Sequence, residues 1–256
     1  MATIIDPGST VTTKLRLFCH QQELAIGTGF FVSADQKIYV VIAWHNVAGR
    51  NAESHQLLSS HGGIPDRMRV LVGCRGHLGE WDEVDVPLYQ DADAFAPRWL
   101  EHAVHGSKVD VVAVPFEVPG WADIRTISIV NTAPRMLLRV SMEVFVLGYP
   151  RGIDGGRGFP IWKRASIATE PDIDLDGTPK LLIDCATREG MSGAPVIAVA
   201  HGGFEPEPGF VATSNHAYRF VGIYSGRLGT DEIKAQLGIV WKSRVVNEIL
   251  SGVEAG

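Results

Sequence analysis

Apolar residues fall in short runs along this chain, and the 28 glycines and 14 prolines break it at close intervals. The segments between breaks are brief and β-branched, which predicts many short strands rather than helices. Thr10–Cys19 alternates as a strand, and Glu23–Val32 follows the polar turn Gln21-Gln22. The run Ile38–Trp44 is apolar on both faces, as in a strand inside a packed sheet. Further strands are expected at Arg67–Gly73, Glu83–Tyr89, Val109–Val114, Glu143–Gly148, Ile161–Thr169, Pro195–Val199 and Phe220–Tyr224, with Lys180–Asp184 leading into the stretch around Ser192. Residues 50–66 read as a surface excursion, Asp91–His105 as a loop and His201–Thr213 as a Gly/Pro-rich insertion. Only the last part reads as helical. Thr230-Asp231-Glu232 resembles a capped first turn with Gly238 as its stop, and Val245, Val246, Ile249 and Leu250 share one helix face before Gly252.

Composition narrows the classes. A chain of 256 residues with 45% hydrophobic and 20% charged residues is expected to be globular and soluble, as one large domain or two small ones. The net charge of -6 gives no electrostatic reason to expect nucleic acid or an anionic membrane as partner. The longest apolar runs fall short of the ~20 residues that span a bilayer, and the N-terminus has neither a basic start nor a long apolar segment, so no secretion signal is expected. Cys19, Cys74 and Cys185 are odd in number and widely spaced, which points to reduced thiols and a cytoplasmic setting. Cys74 and His77 have no second ligand pair to complete a structural zinc site, and no metal or cofactor is expected. Arg151–Gly158 lacks the lysine and following helix of a phosphate cradle, and Asp172–Gly177 lacks the closing acid of a calcium loop.

The chemistry concentrates in Arg188-Glu189-Gly190-Met191-Ser192-Gly193-Ala194-Pro195-Val196. A serine between glycines, followed directly by an apolar strand, is how a rigid base presents a reactive hydroxyl. A glycine at 190 lets successive N–H groups converge on a developing oxyanion. Upstream, His45 and Asp110 each sit at the edge of an apolar strand. Nucleophilic catalysis needs such a base to take the serine proton and such an acid to fix the base's tautomer. The order His, Asp, Ser differs from that of α/β-hydrolases, whose Gly-x-Ser-x-Gly motif also fails at Ala194, and from that of subtilisins.

The sequence resembles the trypsin-like (chymotrypsin-fold) serine peptidases, particularly their bacterial, disulfide-free branch. The likeness rests on Gly27-Thr28-Gly29-Phe30-Phe31-Val32, Ala43-Trp44-His45, Val109–Val114, Gly190–Pro195 and Val221-Gly222-Ile223-Tyr224-Ser225-Gly226, and runs from about residue 10 to 250. It implies an all-β fold of two six-stranded antiparallel barrels with a C-terminal α-helix, divided as residues 1–128 and 129–256. It also implies Ser192 as nucleophile, His45 as general base, Asp110 as orienter, and the N–H groups of Gly190 and Ser192 as the oxyanion site. Ala186, Tyr224, Ser225 and Gly226 would bind a peptide substrate, with Ser225 also supporting Asp110. Two departures from the family pattern matter. Met191 replaces the aspartate that receives a newly cut N-terminus, and Ala186 stands where trypsin's aspartate selects basic residues, with Asp184 and Glu189 nearby. Asp82 and Asp85 are weaker candidates for the third member. The implied activity is that of an endopeptidase acting on protein or peptide, and a stand-alone peptidase in the cytoplasm is expected to be restrained by a regulatory protein partner or a conformational gate. The competing readings are a catalytically silent domain that binds peptides or proteins, and a small-ester hydrolase.

Overall fold

The computed structural model describes residues 4–59, 62–90, 96–228 and 236–252. A short helix, α1 (Gly8–Val11), leads into the meander β1 (Thr12–Cys19), β2 (Gln22–Ala34) and β3 (Lys37–Ile42). The helix α2 (Trp44–Ala48) comes next, then β4 (Arg67–Cys74), β5 (His77–Pro87), β6 (Val112–Phe116) and β7 (Ala122–Asp123). These strands form one sheet in the order β5-β4-β1-β2-β3-β6, with β7 added on β4. The strands β8 (Glu143–Gly148), β9 (Ile161–Ile167), β10 (Lys180–Asp184), β11 (Pro195–Ala200), β14 (Ala217–Arg227) and β15 (Leu237–Lys242) close into a barrel in the order β10-β15-β14-β11-β8-β9. The hairpin β12 (Phe204–Glu207) and β13 (Phe210–Ala212) stands apart from it, and the last described element is the helix α3 (Arg244–Ser251).

The closed second barrel agrees with expectation; among the described residues the strands of the first half form a seven-stranded sheet, in which no second closed barrel is found. Two prolines limit the pairing at the ends of this sheet. Ala113 turns its N–H and C=O to the outer edge of β6, where Leu100 meets them at 3.1 and 2.9 Å. Two residues on, Pro115 faces the same edge with no N–H to continue a ladder, and Pro87 ends β5. Pairing there is by the single bridges Leu100↔Ala113 and Tyr89↔Pro97.

Other departures are local. The apolar run does not continue as a strand through Trp44: β3 stops at Ile42, and α2 is closed by Gly49, whose φ of 62° lets its N–H reach the His45 carbonyl at 3.0 Å. Ile127–Val130 forms a 3-10 turn. Gly238 is no helix stop but a residue of β15, because an added Cβ there would lie 2.7 Å from the Tyr224 ring packed over it. The expected helical start at Thr230-Asp231-Glu232 lies outside the described residues. Among the described residues, no helix is long and apolar enough to cross a membrane.

Three apolar cores result. One fills the concave side of the first sheet around Leu17, Val40 and Met68, and one fills the barrel around Val146, Ile183 and Val196. The third lies between them, joining Phe30, Val41, Val109 and Val111 to Leu147, Ile197, Phe220 and Trp241. Val245, Val246 and Ile249 of α3 seal it, in keeping with their shared helix face.

Candidate active site

His45 stands in the first turn of α2, directly after β3 delivers the chain to the edge of the central core. Asp110 is held in a tight turn, with Val111 N–H to the Val109 carbonyl at 2.7 Å, and the fully buried valines on either side pin it. Its carboxylate grips the histidine at two points. Oδ1 accepts the His45 backbone N–H at 2.8 Å and Oδ2 lies 2.7 Å from Nδ1. A two-point contact fixes ring position and tautomer together, leaving Nε2 as the nitrogen free to act as a base. Burial pulls the His45 pKa down, but the adjacent Asp110 charge and its hydrogen bond outweigh burial and set it above the ordinary histidine value.

Ser192 lies on a loop that both halves of the chain hold. Arg188 to Met191 forms a turn with Gly190 at φ 88°, and Gly193 also has φ 88°. Side chains are excluded at both glycines: a Cβ would lie 2.4 Å from the Tyr149 carbonyl oxygen at Gly190 and 2.0 Å from the Thr28 carbonyl oxygen at Gly193. From β2, Thr28 donates its N–H to the Ser192 carbonyl at 2.9 Å and its hydroxyl to the Gly190 carbonyl at 2.7 Å. Arg151 N–H binds the Glu189 carbonyl at 2.7 Å, and Gly193 N–H binds the Tyr224 carbonyl at 2.7 Å. Among the described residues, the N–H groups of Gly190 and Ser192 have no acceptor in the protein. The Ser192 hydroxyl donates to the Ser225 carbonyl at 3.2 Å rather than to His45.

The remaining sequence-predicted residues divide. Tyr224 is buried, its N–H and C=O are taken by Ala194 and Gly193, and its hydroxyl bonds Thr187. Burial lifts its pKa to about 12, against the opposing bond to Thr187. Ala186 is half-buried, and its carbonyl accepts Lys163 Nζ at 2.7 Å. The Ser225 hydroxyl does not reach Asp110; it accepts the indole N–H of Trp241 at 3.1 Å. Gly226 continues β14 opposite Ile239. Asp82 and Asp85 lie on β5, where Asp85 pairs with Arg69 at 2.7 Å and Asp82 Oδ1 accepts the Glu83 N–H at 2.8 Å. Met191 is fully buried, and Asp184 and Glu189 are exposed.

Two positioning residues escaped the sequence reading. Thr28 is one; its signal was present as a threonine between two glycines, where a small hydroxyl can approach another backbone closely. The other is Asn46, whose Nδ2 donates to the Ser192 carbonyl at 3.4 Å and thus ties the neighbour of His45 to the serine itself. A pocket of about 310 Å³ lies against His45 and Asn46, walled by Gln22–Ala25 of β2 on one side and by Gly63 and Pro65 on another.

The trypsin-like peptidase domain model matches residues 27–204, more than half of the chain and all three of His45, Asp110 and Ser192. The chain belongs to the trypsin-like peptidase family. Solved structures show the same fold for this peptidase domain. Rv3671c from M. tuberculosis H37Rv, in an inactive form with a serine-to-alanine mutation, is 18% identical with a TM-score of 0.51, over 97% of this chain and 88% of that one. The HtrA-type protease AlgW with a tripeptide is 12% identical with a TM-score of 0.57, over 96% of this chain and 60% of that one. A serine endoprotease from Yersinia pestis is 9% identical with a TM-score of 0.53, over 99% and 67%. No curated protein matches the sequence.

Proposed function

We propose that this trypsin-like peptidase is a serine endopeptidase that works through an acyl-enzyme on Ser192. The observation that carries the reading is the two-point grip of Asp110 on His45, with the serine loop anchored to Asn46, the residue next to that histidine. The sequence of events follows from the atoms. A rotation about χ1 takes the Ser192 hydroxyl from the Ser225 carbonyl to His45 Nε2. Nε2 then removes its proton as Oγ attacks the scissile carbonyl, and Asp110 stabilises the imidazolium. The N–H groups of Gly190 and Ser192 receive the oxyanion. His45 returns the proton to the leaving amine, and a water molecule, deprotonated by the same nitrogen, releases the acyl group. Burial and Asp110 together tune this base, and the glycines at 190 and 193 keep the donors in place before substrate arrives.

An extended peptide is read at Ser225 and Gly226 by main-chain pairing, and the pocket beside His45 takes the leaving side of the substrate. The three free thiols support a reducing compartment. A second reading, a silent domain that binds peptides in the same cleft, draws on the Ser192 hydroxyl being bonded to Ser225 rather than to His45. A fluorophosphonate probe separates the two. It is expected to label the protein and to fail on Ser192→Ala. Absence of labelling in the wild-type protein would establish the silent domain, and labelling that survives in the variant would move the nucleophile elsewhere. Digestion of a peptide library then distinguishes a peptidase from an esterase.

A further inference from the structure

We propose that the turn between β1 and β2 forms a zinc-binding site with the segment entering β4, made by Cys19, His20 and Asp66. The Cys19 sulfur, a ring nitrogen of His20 and a carboxylate oxygen of Asp66 all lie within 4.8 Å of one another. The turn is already set for it. His20 adopts φ 53°, its N–H binds Asp66 Oδ2 at 2.5 Å, and its Nδ1 stands 3.2 Å from the same oxygen. Two ligands about 2.0–2.3 Å from a common tetrahedral centre lie 3–4 Å apart, so these donors close on an ion with only side-chain rotation.

The donor set selects the ion. A thiolate, an imidazole and a carboxylate form the mixed S, N, O environment that suits a borderline cation such as Zn²⁺ and is poor for Ca²⁺ or Mg²⁺. On binding, the Cys19 thiol loses its proton to solvent, and the two anionic ligands match the charge of the ion. Three guanidiniums, of Arg16, Arg67 and Arg69, lie over the neighbouring Phe18 ring, and each has its own partner: Arg16 pairs with Glu23 at 2.6 Å, Arg69 with Asp85 at 2.7 Å, and Arg67 donates to the His20 carbonyl and faces Asp85 at 3.6 Å. Three protein ligands leave one position to water, which His20, being exposed, leaves open. The site is therefore an exchangeable one rather than a closed structural site. None of its residues belongs to the candidate active site, so the inference stands whether or not the peptidase reading does.

Titration of the full chain with Cd²⁺ tests this, read as the ultraviolet thiolate-to-cadmium charge-transfer band, with Zn²⁺ then displacing it. The expected result is one saturable site. It is lost in Cys19→Ser and unchanged in Cys74→Ser and Cys185→Ser. His20→Asn, which keeps a residue tolerant of the left-handed backbone on an exposed side chain, and Asp66→Asn should each weaken binding by at least ~10-fold, since even outer-shell partners are worth that much. A band that survives Cys19→Ser overturns the site. Undiminished affinity in both His20→Asn and Asp66→Asn also overturns it, by reducing the site to a single thiolate.

Discussion

Replacing Thr28 by valine tests whether the serine loop is held from the other half of the chain. The substitution keeps shape and volume and removes one hydroxyl from a fully buried position. That hydroxyl serves two main-chain groups. It donates to the Gly190 carbonyl at 2.7 Å and accepts the Tyr149 N–H at 3.2 Å. Both groups belong to the crowded contact where Gly190 meets the Tyr149 carbonyl oxygen, so neither has room to find another partner. A buried polar group left without a partner costs about 1–3 kcal/mol, so with two such groups Thr28→Val should lose roughly 2–6 kcal/mol, seen as a lower urea midpoint at unchanged slope.

The effect on catalysis should exceed what unfolding explains. Gly190 carries one of the two N–H groups assigned to the oxyanion, and removing such a donor outright costs about 10²–10³ in turnover. Loosening it should cost at least ~10-fold in kcat, measured on a small ester or peptide well below the unfolding transition, with KM little changed. Thr28→Ser, which keeps the hydroxyl and loses a methyl group, should restore most of the rate while remaining about 1 kcal/mol less stable. The reasoning is refuted if Thr28→Val matches wild type in both midpoint and kcat, or if Thr28→Ser is as slow as the valine variant.

The clamp on His45 makes two further predictions. Asp110→Asn should fold normally by circular dichroism yet turn over roughly 10⁴-fold more slowly, because an amide favours the wrong imidazole tautomer; near-normal turnover would give the role to another acid. Catalysis needs the neutral ring, so the raised His45 pKa should place the acid limb of kcat/KM above the ordinary histidine value, and the limb should move down in Asp110→Asn. For stability the sign is opposite. The His45–Asp110 pair contributes fully below the unfolded histidine pKa and loses that contribution as pH rises through the folded value, so the stability gap between wild type and His45→Ala should narrow with rising pH. Gly193→Ala should be among the most destabilising single changes, since its Cβ would sit 2.0 Å from main-chain oxygen at a left-handed φ; a soluble variant with a wild-type urea midpoint would contradict that geometry.

What the sequence disclosed, and what it hid, divides along a physical line. Strands announced themselves where one stretch held the whole signal: Glu143–Gly148 forms β8 as expected, and the face shared by Val245, Val246 and Ile249 became α3. The meeting of His45 with Asp110 was legible because each residue type, at the end of an apolar run, is suited to a known chemical task. The edge of β6 that Pro115 faces was not, because it is a matter of register that alternation alone leaves open. The strand β15 was hidden by Gly238, which reads locally as a helix stop and is explained only by the Tyr224 ring packed against it.

The same line runs through the site. The predicted support of Asp110 by Ser225 is not seen: the Ser225 hydroxyl instead accepts the indole N–H of Trp241, sixteen residues further along. Thr28 and Asn46 went unassigned because their partners, the carbonyls of Gly190 and Ser192, are 162 and 146 residues away. Backbone carbonyls carry no sequence signature, so any residue whose task is to hold one is invisible until the fold supplies the partner. The groups that carry out chemistry are thus readable from side-chain identity, and the groups that hold them in place are readable only from the main chain they meet. Thr28 is the sharpest case, since one hydroxyl from the first sheet sets the distance between the serine loop and the turn at Tyr149, and neither of those segments can adjust without colliding with the other.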